Sequence, residues 1–208
     1  MKIENIIFDV DGTLWDSTEE IVKVWNLAVK ELGIECEEIT SDTLKGEFGK
    51  PMNVIADHLF PNASEKEKEE ALELCCKYEH GVLEGCEKDL TYPGVVETIQ
   101  SLAKTHKLYV VSNCQSGYIE LFLKKNKLEQ YVLDTECYGD TKKSKGENIR
   151  LLMERNHLEN CIYVGDTEGD CKAAKEAGIP FVFAAYGFGN VETFDKEIRD
   201  IRELLEMV

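Results

Sequence analysis

Short apolar runs, each closed by a polar turn and followed by a helical pattern, recur through most of this chain. That alternation limits the folds open to it. Residues 3–8, 108–111, 161–164 and 181–184 are such runs, and 132–138 holds another. Helical patterns cover 95–104, 116–126, 146–156 and 168–177, the last closed by Gly178. Strands that are apolar throughout and alternate with helices are buried on both faces. The pattern therefore predicts an α/β fold, a Rossmann-like parallel sheet with helices on both faces. An amphipathic C-terminal helix is expected over 198–206.

One stretch breaks the alternation. Between Trp15 and Leu90 every signal is helical. Ser17 with Glu20 fits a capping box opening a helix to Leu32, with Ile21, Val24, Trp25 and Ala28 on one face and Gly33 at its end. Ser41 is placed to cap a short helix. Gly49-Lys50-Pro51 breaks the chain before a second short helix over 52–59. Ser64 with Glu67 is another capping box, leading a long helix through Leu72, Cys75, Tyr78 and Val82. Tyr92-Pro93-Gly94 is a clear punctuation mark. The expected organisation is a core of residues 1–14 and 91–208, with an all-helical cap, residues 15–90, inserted after the first strand. Trp15 is expected to pack at the hinge between them.

Charge and cysteine usage exclude several function classes. The 208 residues carry a formal charge of −17, so binding of nucleic acid through its phosphates is not expected. The stretch from Trp15 to Leu90 alone holds 19 acidic and 8 basic residues. An anionic substrate must be held there by local positive charge and metal. No run approaches the ~18 apolar residues of a membrane span. The first strand follows Lys2 directly, so no cleavable leader is expected. The eight cysteines include no Cys-x-x-Cys pair, and Cys75-Cys76 are adjacent. They read as reduced thiols of a cytoplasmic protein. The four histidines are scattered and take no catalytic role.

Four polar stations follow the strands. Asp9-Val10-Asp11-Gly12-Thr13 follows the first, Ser112-Asn113 the second, and Gly165-Asp166-Thr167-Glu168-Gly169-Asp170 the strand at 161–164. The basic station lies before the helix at 146, among Lys142, Lys143 and Lys145. Carboxyl ends of parallel strands meet in one crevice. Carboxylates two apart repel unless a cation joins them or one stays protonated. Carboxylates, a hydroxyl and an ammonium together suit a metal ion and a phosphoryl group. Taken singly, each station also has a bland reading as turn or helix-cap chemistry, strongest for Ser112-Asn113 and weakest for the last.

Phe8-Asp9-Val10-Asp11-Gly12-Thr13-Leu14 resembles the first motif of the haloacid dehalogenase-like superfamily, and the other three stations follow in the family's order. The helical insertion and Gly165-Asp166-Thr167 resemble the phosphoglycolate phosphatase and β-phosphoglucomutase branch. The resemblance implies a phosphatase that uses Mg²⁺ and an aspartyl-phosphate intermediate on a small phosphorylated metabolite, as a monomer or homodimer. It implies Asp9 as nucleophile and Asp11 as general acid and base. Ser112, Asn113 and Lys145 would bind the phosphoryl group, with Lys143 the alternative lysine, because the family's usual Lys-Pro is missing. Asp9, the Asp11 backbone carbonyl and Asp166 would hold the metal, with Thr13 and Asp170 behind them. Glu168 is expected to face solvent. Lys50, in the only glycine-flanked basic turn of the cap, is a candidate substrate contact. Three alternatives stand beside this one. A phosphotransferase of the phosphoglucomutase type would share the whole core. Dehalogenation is disfavoured because Asp11 is present. A non-catalytic phosphate-binding module would lack a station, and none is missing.

Overall fold

A computed structural model describes residues 2–208. Six parallel strands form one sheet: β1 (Asn5–Phe8), β2 (Lys107–Ser112), β3 (Val132–Cys137), β4 (Cys161–Gly165), β5 (Phe181–Ala184) and β6 (Lys196–Ile198). Their order is β3-β2-β1-β4-β5-β6. The chain first builds outward from β1 to one side, then returns and builds outward to the other. The order thus reverses at β1, and a crevice opens beyond its carboxyl end between the ends of β2 and β4. Residue 1 of the expected core lies outside the described residues.

Between β1 and β2 lie α1 (Thr18–Leu32), α2 (Ser41–Glu47), α3 (Met52–Leu59), α4 (Glu65–Gly85) and α5 (Val95–Leu102). The rest of the core carries α6 (Tyr118–Asn126), α7 (Tyr138–Thr141), α8 (Lys145–Asn156), α9 (Glu168–Ala177) and α10 (Leu204–Met207). Alternate residues of each strand point to opposite faces. Ile6, Phe8, Val110 and Val164 pack on one face with Trp15, Ile99 and Phe122. Ile7, Tyr109, Val111 and Tyr163 pack on the other with Ile149, Leu152 and Ala174. Burial on both faces is why the strands read as unbroken apolar runs. From residue 18 to 85 every described element is helical, with Trp25, Leu44, Ile55, Phe60 and Cys75 in its interior.

Three local expectations fail, two of them because a tertiary contact outranks a local pattern. The expected helix over 198–206 is split: Ile198 ends the edge strand β6, Asp200 caps a 3₁₀ turn at Ile201–Glu203, and only α10 continues. The helical spacing of Ile198, Ile201 and Leu204 is real burial supplied by three different elements. Ser17 caps nothing. Its hydroxyl turns inward to Asp11 and Tyr118, while Asp16 receives the Thr18 N–H. Thr40, not Ser41, caps α2.

Candidate active site

The site begins where β1 ends. Asp9 N–H still donates to the Val164 carbonyl at 2.9 Å, so its side chain is held at the sheet's edge. The chain then turns sharply, with Thr13, Leu14 and Trp15 N–H all donating to the Val10 carbonyl. Gly12 adopts φ +80°, and a Cβ there would lie 2.1 Å from Asp166 Oδ2. A residue without a side chain is therefore required on both counts. Thr13 Oγ1 donates to Asp166 Oδ1 at 3.2 Å, tying the turn to the end of β4.

Asp166 and Asp170 are set by the start of α9. Thr167 and Asp170 form a capping box. Asp170 Oδ2 accepts from the Asp166 and Thr167 N–H groups and from Thr167 Oγ1. Its Oδ1 takes Lys145 Nζ at 2.6 Å, and Lys145 also donates to Asp9 Oδ1 at 3.0 Å. Lys145 is buried at the start of α8 behind a Ser144–Glu147 capping box, whereas Lys143 is exposed. Of the two candidate lysines, only Lys145 reaches the carboxylates. Burial works against its ammonium, yet Asp170 and Asp9 hold its pKa above the ordinary lysine value.

Asp9, Asp166 and Asp170 each offer an oxygen within 4.8 Å of the others. All three are fully buried, against one lysine. Burial first, then the Asp170 and Asp9 charges, pushes the Asp166 carboxyl well above its usual value. Burial likewise raises Asp9 to about 6, opposed by Lys145. Asp9 Oδ2 is buried with no hydrogen-bond partner. An excess of buried carboxylate with an unpartnered oxygen fits a hard divalent cation, and oxygen-only donors suit Mg²⁺.

The Asp11 carboxylate stands apart from that group. Its Oδ1 accepts from Tyr118 Oη at 2.6 Å, Trp15 Nε1 at 3.1 Å and Ser17 Oγ at 3.4 Å. The expectation of Asp11 among the metal-holding residues therefore does not extend to its side chain. Burial raises its pKa to about 8; the Tyr118 hydrogen bond opposes this, and the charges of Asp9 and Glu79 add to it. A carboxyl held up in this way keeps its proton near neutrality, as a proton donor must.

Ser112 ends β2 and Asn113 follows it at the crevice, both buried. Asn113 Nδ2 donates to the Gly49 carbonyl at 2.7 Å, which brings the α2–α3 turn down onto the site. Gly49 takes φ +90°, and a Cβ there would lie 3.2 Å from Thr167 Cγ2. Lys50 itself turns to Glu47 at 2.9 Å and remains 38% exposed. Glu168 is exposed, as expected. A cavity of about 20 Å³ remains between the helices and the sheet, lined by Asp11, Lys50, Glu79, Asn113, Gln115 and Tyr118. A wider cleft of about 920 Å³ lies at the other end of the sheet, around Glu4, Lys107 and His157, away from the carboxylates.

Residues 6–184 match the family model of the haloacid dehalogenase-like hydrolases. The chain belongs to that family. It is 29% identical to the phosphoglycolate phosphatase of Aquifex aeolicus, covering 88% of this chain and 85% of that one. It is 27% identical to the phosphoglycolate phosphatase of Pseudomonas savastanoi, covering 96% and 78%. A haloacid dehalogenase-like family protein from Streptococcus pneumoniae shares the fold at a TM-score of 0.84 and 22% identity, over 99% of this chain and 98% of that one. This haloacid dehalogenase-like chain is a phosphoric monoester hydrolase.

Several site residues of this hydrolase carry no sequence signal of their own. Tyr118 sits on the inner face of α6, where an aromatic reads simply as core. Phe188 contributes its backbone N–H to Asp166 Oδ2 at 2.7 Å, a role independent of its side chain. The one available hint was the pair Gly187 and Gly189. A Cβ at Gly187 would strike Asp166 and the Gly12 carbonyl, and one at Gly189 would strike the Asp166 carbonyl. Glu79 lies far away in sequence among surface-like acids, yet it is 3% exposed.

Proposed function

We propose that the chain is a Mg²⁺-dependent phosphatase that hydrolyses a small phosphorylated metabolite through an aspartyl-phosphate on Asp9. The observation that carries this is the Asp9 carboxylate, held at one oxygen by Lys145 and unpartnered at the other. The Asp9 carboxylate attacks phosphorus, and the bond from phosphorus to the ester oxygen breaks. Asp11, which holds its proton to about pH 8, gives that proton to the departing oxygen. A water molecule then attacks phosphorus, returns a proton to Asp11, and frees Asp9 as inorganic phosphate leaves. Dividing one displacement into two is the gain from a covalent intermediate. Lys145 and the Ser112 hydroxyl serve the phosphoryl oxygens, where fixed positive charge acts most strongly. Asp9 and Asp166, together with the Asp11 backbone carbonyl, would hold the Mg²⁺, and Asp170 and Thr13 fix the direction of Lys145 and Asp166. When bound, such an ion would supply positive charge for the transferring group.

The helical insertion, residues 15–90, acts as a cap over the core of residues 1–14 and 91–208. The contact of Gly49 with Asn113 supports that reading. Lys50 sits on the same turn and would reach substrate only after leaving Glu47. The eight free cysteines support a reducing, cytoplasmic setting.

The test is acid-quenched labelling with a ³²P-phosphoester in Mg²⁺. Wild type is expected to retain label on the protein. Asp9→Asn is expected to retain none and to release phosphate at least about 10³-fold more slowly. Unchanged release by Asp9→Asn overturns the assignment.

A further inference from the structure

The phosphoryl chemistry uses one wall of the cavity and leaves the other unexplained. Opposite the strand ends, Glu79 enters from α4, buried to 3% exposure. Its Oε2 accepts from Trp25 Nε1 and its Oε1 from Gln115 Nε2, both at 2.9 Å. Both donors are neutral, so the carboxylate has no counter-ion among them. Burial holds its carboxyl up to about 7, with the Gln115 and Trp25 hydrogen bonds pulling the other way. Lys50, the lysine that lines the cavity, is already drawn to Glu47.

Asn113 supplies an independent observation. Its Nδ2 donates to the Gly49 carbonyl, which fixes the orientation of the amide, because a flip would set oxygen against oxygen. Its Oδ1 is then a buried acceptor with no partner. A buried polar atom left unpaired is destabilising, and only a donor relieves it. Glu79 and Asn113 therefore line with acceptors the cavity that Asp11 also borders, where the leaving group must lie.

We propose that this pocket selects a phosphomonoester whose leaving group is uncharged or cationic and carries a hydrogen-bond donor, a hydroxyl or an amine, and that it discriminates against a leaving group carrying a carboxylate. The inference rests on the phosphatase reading above and narrows its substrate class. A carboxylate brought beside Glu79 must face a second buried negative charge or force uptake of a proton. It also leaves Asn113 Oδ1 unpaired. A hydroxyl or ammonium satisfies both residues. The chain would thereby differ from the substrate in the names of its relatives, the phosphoglycolate phosphatases.

The experiment compares phosphate release by the full chain in Mg²⁺ from p-nitrophenyl phosphate, O-phosphoethanolamine and 2-phosphoglycolate. The last two are close in size and differ in the charge of the leaving group. Wild type is expected to show kcat/KM at least about tenfold higher for O-phosphoethanolamine than for 2-phosphoglycolate. Glu79→Gln keeps the shape and removes the charge, so it is expected to shrink that ratio by about tenfold, chiefly through KM for 2-phosphoglycolate. Phosphate release with 2-phosphoglycolate preferred by wild type would overturn this inference and leave the phosphatase reading intact. A ratio unmoved in folded Glu79→Gln would overturn the role of Glu79. Release from none of the three would overturn the phosphatase reading and this inference with it. The wild-type ratio decides the matter if the variant does not fold.

Discussion

Two buried acids approach the same cavity from opposite sides, and their surroundings differ. Asp11 gathers three donors on one oxygen, while Glu79 divides two donors between its oxygens. Both lack a cationic partner, so both are easier to protonate in the folded chain than in the unfolded one. For Glu79 the folded value is about 7 against an ordinary 4.5. Asp11 and Tyr118 face it from the core, and Cys75 and Cys76 sense it along its own helix. The sign follows from proton binding. Between pH 4.5 and 7 the folded state holds the proton and the unfolded state has lost it, so stability falls as pH rises through that window. Glu79→Gln lacks that proton. Its unfolding free energy relative to wild type is expected to rise between pH 4.5 and 7.5 by on the order of 2–3 kcal/mol. Denaturant melts at several pH values measure it, and a difference flat with pH would mean that Glu79 is already ionised in the fold.

At the scale of elements, the turn after β1 and the start of α9 form one device. Gly12 passes so close to Asp166 that the two segments must be built together. Gly33 provides the control. It also takes a positive φ, +68°, but a Cβ there meets nothing within 4 Å. Gly33→Ala is expected to cost about 1 kcal/mol in strain and leave activity unchanged. Gly12→Ala adds a collision with Asp166 to the same strain. It is expected to lower phosphate release by at least about 10²-fold, the scale at which a misplaced group acts, while the protein remains folded by circular dichroism. Near-normal release from Gly12→Ala would show that Asp166 has room to move. This device was half legible in the sequence. Asp9, Asp11, Asp166 and Lys145 follow strands and helix starts, whose positions are local signals of apolar runs and capping boxes. Phe188 N–H, Tyr118 and Glu79 are partners across long chain separations, fixed by how the layers stack, and nothing local marks them. The same cause misled the reading of Ser17. A serine followed three residues later by glutamate is a cap in isolation, but here a buried aspartate takes the hydroxyl. The C-terminal pattern failed because period-3.6 spacing records burial, and burial was supplied by a strand and two short turns.

For the whole molecule, the two passages between the helical insertion and the core run side by side. Asp16 N–H donates to the Leu90 carbonyl at 2.9 Å, Tyr92 N–H donates to the Leu14 carbonyl at 3.1 Å, and Trp15 pairs with Thr91. Trp15 is buried there and packs edge-on against Tyr118 and Phe122. A pair of adjacent strands with one aromatic pivot can rotate as a unit. On the proposed reading such a swing would make room for a phosphoester, since the cavity of about 20 Å³ holds about one water. The insertion meets the core at several points, among them Gly49 on Asn113, Glu79 on Gln115, Asn53 on Tyr138 and Glu84 on Lys124. An anion and a divalent ion bound on the core beneath the turn at Gly49 are expected to shift the population toward closure. On the proposed mechanism, closure would shield the aspartyl-phosphate from bulk water. Limited proteolysis reads the balance. Cutting within residues 14–17 and 90–94 is expected to slow when Mg²⁺ and orthovanadate are added together, and less with either alone. Asn113→Ala, which removes one contact of the closed form, is expected to be cut faster without ligand. Cutting that ignores both ligand and variant would mean that the insertion does not swing on these strands and that substrate enters by another route.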